Sequence, residues 1–91
     1  MTQLETYRTE IDALDEQLVA LLEARLNIAL KVAQYKQENN VPVLHQNREK
    51  EVIEKMENNL DNKAFGPHMA DIFTQIMTTS KAVQKERIHG A

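Results

Sequence analysis

Between Leu4 and Tyr35 the apolar residues Leu4, Tyr7, Ile11, Leu14, Leu18, Leu21, Ile28, Val32 and Tyr35 recur three or four apart, and no Gly or Pro interrupts the chain before Pro42. That spacing specifies one continuous helix, closed by Asn39-Asn40-Val41-Pro42, where the Asn pair and the restriction on the residue before Pro end it. About 36 residues rising 1.5 Å each make a rod roughly 54 Å long. A compact chain of 91 residues has a radius of gyration of only about 12 Å, so the rod overhangs its own domain. Its apolar seam would then face water unless a second chain covered it, which predicts an obligate dimer with the long helices packed together. The alternative is a kink near Arg25, the charged residue on the seam, folding the helix back within a monomer; neither Gly nor Pro is there to make one.

Two shorter periodic segments follow. Asn47 is a candidate N-cap for a second helix carrying Val52, Ile53, Met56 and Leu60 on one face and ending near Asp61-Asn62. Lys63-Ala64-Phe65-Gly66-Pro67 reads as a connection, after which Met69, Ile72, Phe73, Ile76, Met77 and Val83 mark a third helix to about Arg87, with His89-Gly90-Ala91 as a frayed tail. Two Gly, two Pro and four aromatic residues leave too little turn and strand chemistry for a sheet, so the expectation is all-α: three helices in one domain spanning residues 1–91.

Charge and composition narrow the function. Eleven Lys plus Arg against 14 Asp plus Glu give a net charge of −3, the wrong sign for a dedicated nucleic-acid binder. Cysteine is absent, which removes disulfides, thiolate metal sites and a Cys nucleophile and suits a reducing cytoplasm. The N-terminal residues lack the basic and apolar regions of an export signal, and no segment approaches 18 uninterrupted apolar residues, so neither export nor membrane insertion is expected. His45, His68 and His89 are not spaced to set two ligands on a helix face, Ser80 is the sole serine, and no phosphate-binding glycine loop occurs. Metal, nucleotide and covalent chemistry all lack their usual parts, so no cofactor is expected.

The informative residues are polar groups on apolar faces. Arg25 has Leu21, Leu22, Ile28 and Ala29 at the spacings where a helical acid would pair with it, so it either reaches a carboxylate on another helix or awaits an anionic ligand. Lys36, 11 residues on, points within about 20° of Arg25 and lies roughly 16 Å along the axis. Together they could grip one metabolite-sized anion; alone, Lys36 reads as a lysine favoured by the helix C-terminus. Arg8 has Glu5 and Asp12 within pairing distance on its own helix and reads first as a surface ion pair. Should it bind the same ligand as Arg25, about 25 Å of helix requires that a partner chain supply it. Glu49 falls on the apolar face of the second helix, where it stabilises the N-terminus or accepts a ligand hydroxyl, and Arg48 has Glu51 as an ordinary surface partner. Ser80 and Gln84 extend the stripe of Met69, Phe73 and Ile76, so each needs a partner: a backbone carbonyl, a buried water or a ligand.

In this combination the chain resembles the all-helical chorismate mutases of the AroQ class. The match comprises Arg8-Thr9-Glu10-Ile11-Asp12-Ala13-Leu14-Asp15, Leu21-Leu22-Glu23-Ala24-Arg25, Lys36, Pro42-Val43, Arg48-Glu49, Ser80 and Gln84, covering roughly Leu4 to Arg87. The resemblance implies an intertwined homodimeric helical bundle with two active sites, each completed by one residue of the other subunit. It implies that Arg8 acts in trans and Arg25 in cis on substrate carboxylates, that Lys36 and Gln84 meet the ether oxygen of the breaking bond, and that Lys36 also helps hold a carboxylate. It further implies that Arg48 supports the carboxylate side, that Glu49 accepts the ring hydroxyl, and that Ser80 is a polar group at the carboxylate end. His45 departs from the pattern, standing where many relatives have Asp, so the loop contact there would fall to a backbone amide.

The implied reaction, chorismate to prephenate in phenylalanine and tyrosine biosynthesis, is an intramolecular Claisen rearrangement. It needs neither nucleophile nor proton transfer, which accords with the missing catalytic parts; catalysis comes from holding the folded conformer and placing donors at the ether oxygen. Two alternatives use the same scaffold: an isochorismate-pyruvate lyase, and a mutase-like module regulating a partner enzyme of aromatic biosynthesis. A plain helical dimerisation module is a third, but it gives no reason for Arg25 on the seam.

Overall fold

A computed structural model describes residues 2–42 and 46–89. The order is α1 (Gln3–Glu38), α2 (Gln46–Asn59), a 3-10 turn (Lys63–Phe65) and α3 (Gly66–His89), with no strand among the described residues.

Helix α1 starts where the Thr2 side chain accepts the Glu5 N–H at 3.1 Å, satisfying one of the amides that a helix leaves open. It runs through Arg25 without a break, so the fold-back within a monomer does not occur. It stops as the Asn pair predicts: Asn40 takes a left-handed φ of 56°, and the Val41 N–H returns to the Lys36 carbonyl at 2.8 Å, closing the last turn in a Schellman geometry. Asn tolerates that conformation better than other side-chain-bearing residues, and its place here sets Lys36 in the final turn.

The other boundaries differ from expectation by a few residues. Asn47 lies inside α2, which begins at Gln46, so Asn47 is not its cap. Helix α2 ends at Asn59, and Asn62 instead caps the 3-10 turn by accepting the Ala64 N–H at 3.1 Å. Gly66 and Pro67 belong to the first turn of α3, where the missing proline N–H costs nothing, and α3 continues to His89. His45 and Val43 lie outside the described residues.

Helix α3 packs against both α1 and α2, and burial is concentrated there: Ala29, Ala33, Met56 and Met77 are the buried apolar residues among those described. The buried line of α1 is therefore the small-residue row Ala29 and Ala33, not the large apolar seam read from the sequence. Alanine lets α3 approach the α1 backbone closely, whereas Leu4, Tyr7, Ile11, Leu14, Leu18, Leu21 and Ile28 are each more than half exposed on the single chain. The dimensions, 55 × 27 × 16 Å with a radius of gyration of 16.4 Å, reflect the overhang of α1. Among the described residues no helix is long and apolar enough to cross a membrane.

Candidate functional site

The α1, α2 and α3 helices enclose a cleft of about 370 Å³ whose lining includes Arg25, Lys36, Arg48, Glu49, Ser80 and Gln84. Six of the seven candidates named from sequence thus converge, from three helices, on one cavity of metabolite size. Arg8 does not: it is exposed on the overhanging part of α1 and absent from the cleft lining.

Arg25 lies on the Ala29–Ala33 row, which puts its guanidinium against α3. There Nη1 donates to Ser80 Oγ at 2.9 Å, and no carboxylate pairs with it among the described residues. Of the two partners considered for Arg25, the structural carboxylate is thus not found. A neutral hydroxyl fixes the direction of a guanidinium without cancelling its charge, so the remaining donors stay available to an anion. Ser80, itself buried, gains the partner that its position demands.

Gln84 is buried at 7% exposure, and its Nε2 donates to the Ala29 carbonyl at 3.0 Å. A carbonyl only accepts, so this contact settles which end of the amide is nitrogen and leaves a second N–H on the same atom. No buried side-chain nitrogen or oxygen lacks a partner among the described residues.

Arg48 pairs with Glu51 at 3.4 Å across an exposed i,i+3 spacing, as expected of a surface pair that contributes little stability. Glu49 accepts from Lys81 Nζ at 2.7 Å, joining the first turn of α2 to α3. Lys81 is the cleft residue that sequence reasoning missed. The signal was available in helical spacing, since Lys81 stands three residues before Gln84 and four after Met77.

The cleft lining carries four cations, Arg25, Lys36, Arg48 and Lys81; Lys81 is paired with Glu49 and Arg48 with Glu51, which still leaves a positive excess in a chain whose net charge is −3. An excess of fixed positive charge in a partly desolvated cleft draws an anion bearing more than one negative charge. Among the described residues no group of three or more His, Asp or Glu side chains is placed to hold a metal ion.

Comparison with known proteins identifies the family. The family model for chorismate mutase type II matches residues 7–85, a span that contains all seven candidate residues. A bifunctional chorismate mutase/prephenate dehydratase of Aquifex aeolicus (strain VF5) is 28% identical over 91 residues, covering 94% of this chain and 25% of the relative. The proteins of the same description from Buchnera aphidicola subsp. Acyrthosiphon pisum (strain APS) and subsp. Schizaphis graminum (strain Sg) are 33% and 31% identical over 85 residues, covering 88% and 92% of this chain. Those alignments cover 21% and 22% of the two relatives, so the chain spans about a quarter of the length of the curated proteins it matches. No solved structure matches the chain.

Proposed function

Since the chain belongs to the chorismate mutase type II family, we propose that its cleft rearranges chorismate to prephenate. The observation that carries the proposal is the gathering of Arg25, Lys36 and Arg48 around Gln84, with Arg25 oriented by Ser80 and not neutralised by a carboxylate among the described residues. Chorismate is a dianion, with one carboxylate on the ring and one on the enolpyruvyl group, and a cleft with excess positive charge suits it.

In the rearrangement the ether C–O bond breaks as a C–C bond forms between the enolpyruvyl methylene and the ring, with all electrons moving inside one molecule. The protein's work is to select the folded conformer and to stabilise charge that grows on the ether oxygen. Arg25 binds one carboxylate. Lys36 and the second N–H of Gln84 are the donors to the ether oxygen, one charged and one neutral; a donor of this kind contributes roughly 3 kcal/mol to lowering the barrier. Arg48 adds positive charge on the carboxylate side, and Glu49 offers its second carboxylate oxygen to the ring hydroxyl. No step calls for a cofactor.

The site is completed, in this proposal, by Arg8 of a second copy in an intertwined homodimer. One feature supports the dimer, the exposed seam of α1, which runs about 45 Å from Leu4 to Tyr35; and since Arg8 lies about 25 Å along α1 from Arg25, an Arg8 that takes part must come from the second copy. A cytoplasmic setting belongs to the same proposal, on the strength of the cysteine-free sequence. Because the relatives join a chorismate mutase to a prephenate dehydratase by name, a dehydratase is the aromatic-biosynthesis partner the proposal would pair with this chain. The same names favour chorismate over isochorismate as substrate.

The test is the loss of chorismate absorbance with purified protein at neutral pH, beside Arg25→Ala of matched helicity. Conversion to prephenate that the variant reduces by about 100-fold or more supports the proposal. Absence of turnover by the unmodified chain overturns it.

A further inference from the structure

The proposed reaction uses Glu49 and leaves Lys81 idle, although the two are joined at 2.7 Å. We infer that Lys81 is a positioning residue for the rearrangement, holding the Glu49 carboxylate at the hydroxyl end of the cleft and offsetting its charge against an incoming dianion; the inference rests on the mutase reading.

Three observations carry it. The side chains of Glu49 and Lys81 are about one third exposed, 32% and 28%, whereas the Arg48–Glu51 pair is 59% exposed on both sides, so the Glu49–Lys81 pair is the less screened of the two. The pair is not local to one helix: it ties the first turn of α2 to α3 within a turn of Gln84, across the cleft that the ligand must enter. Finally, Glu49 and Lys81 also line a second groove between α2 and α3, shared with Lys50, Glu54 and Thr78, so the pair borders both. Glu49 therefore stands where its carboxylate could turn to either groove. By accepting Lys81 on Oε1, Glu49 is tied to α3 at the edge of the cleft, with its other oxygen unengaged among the described residues.

Charge argues the same way. An ionised Glu49 repels a ligand with two carboxylates, and the repulsion grows as the ligand displaces water from the cleft. Lys81 beside it cancels that term while leaving an acceptor for a neutral hydroxyl. Without Lys81, Glu49 would be both mobile and repulsive.

The experiment is steady-state kinetics on chorismate with the unmodified protein, Lys81→Met, Lys81→Gln, Lys81→Arg, Glu49→Gln, and Glu49→Gln combined with Lys81→Met, with helicity and thermal midpoint recorded for each. A loss of about 10-fold in kcat/KM is expected for Lys81→Met and Lys81→Gln, carried mainly by KM, with Lys81→Arg restoring most of it. In the Glu49→Gln background, Lys81→Met should change kcat/KM by less than about 2-fold, because the carboxylate through which it acts is gone. A purely structural role would move the thermal midpoint and leave KM unchanged. Unaltered kinetics in Lys81→Met and Lys81→Gln, or a full 10-fold loss persisting beside Glu49→Gln, overturns the positioning role alone. No turnover by the unmodified protein overturns the mutase reaction and this inference with it.

Discussion

Replacing Gln84 by Glu changes one atom's chemistry at the proposed ether-oxygen site. The amide nitrogen carries two N–H groups, one spent on the Ala29 carbonyl at 3.0 Å and the other available to the ether oxygen. A carboxylate in its place has no donor, and it sets an oxygen anion against a carbonyl oxygen at a position only 7% exposed. Losing one preorganised donor to a developing oxyanion costs about 2.7 to 4 kcal/mol, so Gln84→Glu should lower kcat by about 10² to 10³ at neutral pH. Burial disfavours the charged form and pushes the introduced carboxyl above the usual value near 4.3. With the folded pKa raised, the folded state binds the proton more tightly than the unfolded chain. The variant's stability is thus greatest below the unfolded value and falls as pH rises through the folded one. Acidification should restore activity in part only, since a protonated acid has a single O–H for two acceptors. Chorismate decay followed from about pH 5 to 8 beside the unmodified protein measures this, and the unmodified Gln84 contributes no titration over that range. A variant with neutral-pH kcat/KM within about 2-fold of the original would refute the assignment of Gln84 to the ether oxygen.

Two further predictions address assembly. Arg8→Ala and Arg25→Ala should each be inactive alone, yet denaturing and refolding them together should restore about one quarter of the sites, because half of the randomly formed dimers then carry one site with both arginines intact. If Arg8 worked within its own chain or not at all, mixing would restore nothing beyond the average of the two. Leu18→Asp places a charge on the exposed seam of α1; sedimentation should show the unmodified protein at about twice 10.5 kDa and the variant dissociated with reduced helicity. An unmodified protein that sediments as a stable monomer would remove both the dimer and the role of Arg8 in trans.

Much of the candidate site was legible because helical spacing is a local property. Arg25 and Lys36 share a face by their 11-residue separation, Ser80 and Gln84 by their four, and each pair reaches the same cleft. Polar residues on apolar stripes marked where partners had to exist, and two of those partners are now identified: Ser80 for Arg25, and the Ala29 carbonyl for Gln84. Lys81 escaped notice because a lysine near a helix face looks like solvated surface until α2 is known to bring Glu49 opposite it. Boundary shifts at Asn47, Asn59 and Gly66 have a similar origin: an Asn suits either a cap or a first turn, and Gly-Pro suits either a loop or a helix start.

Sequence alone determined the three helices, the continuous 36-residue rod and its Asn-based stop, since periodicity, capping and the absence of Gly and Pro act over a few neighbouring residues. The pairing of helices was decided only in three dimensions. Both Arg25 with Ser80 and Ala29 with Gln84 span 55 positions of chain, and no local pattern sets the stagger between α1 and α3. That stagger follows from which row of α1 allows the closest approach. The row is Ala29 and Ala33, whose small side chains bring Gln84 within reach of the α1 backbone, while the large apolar seam is left facing outward.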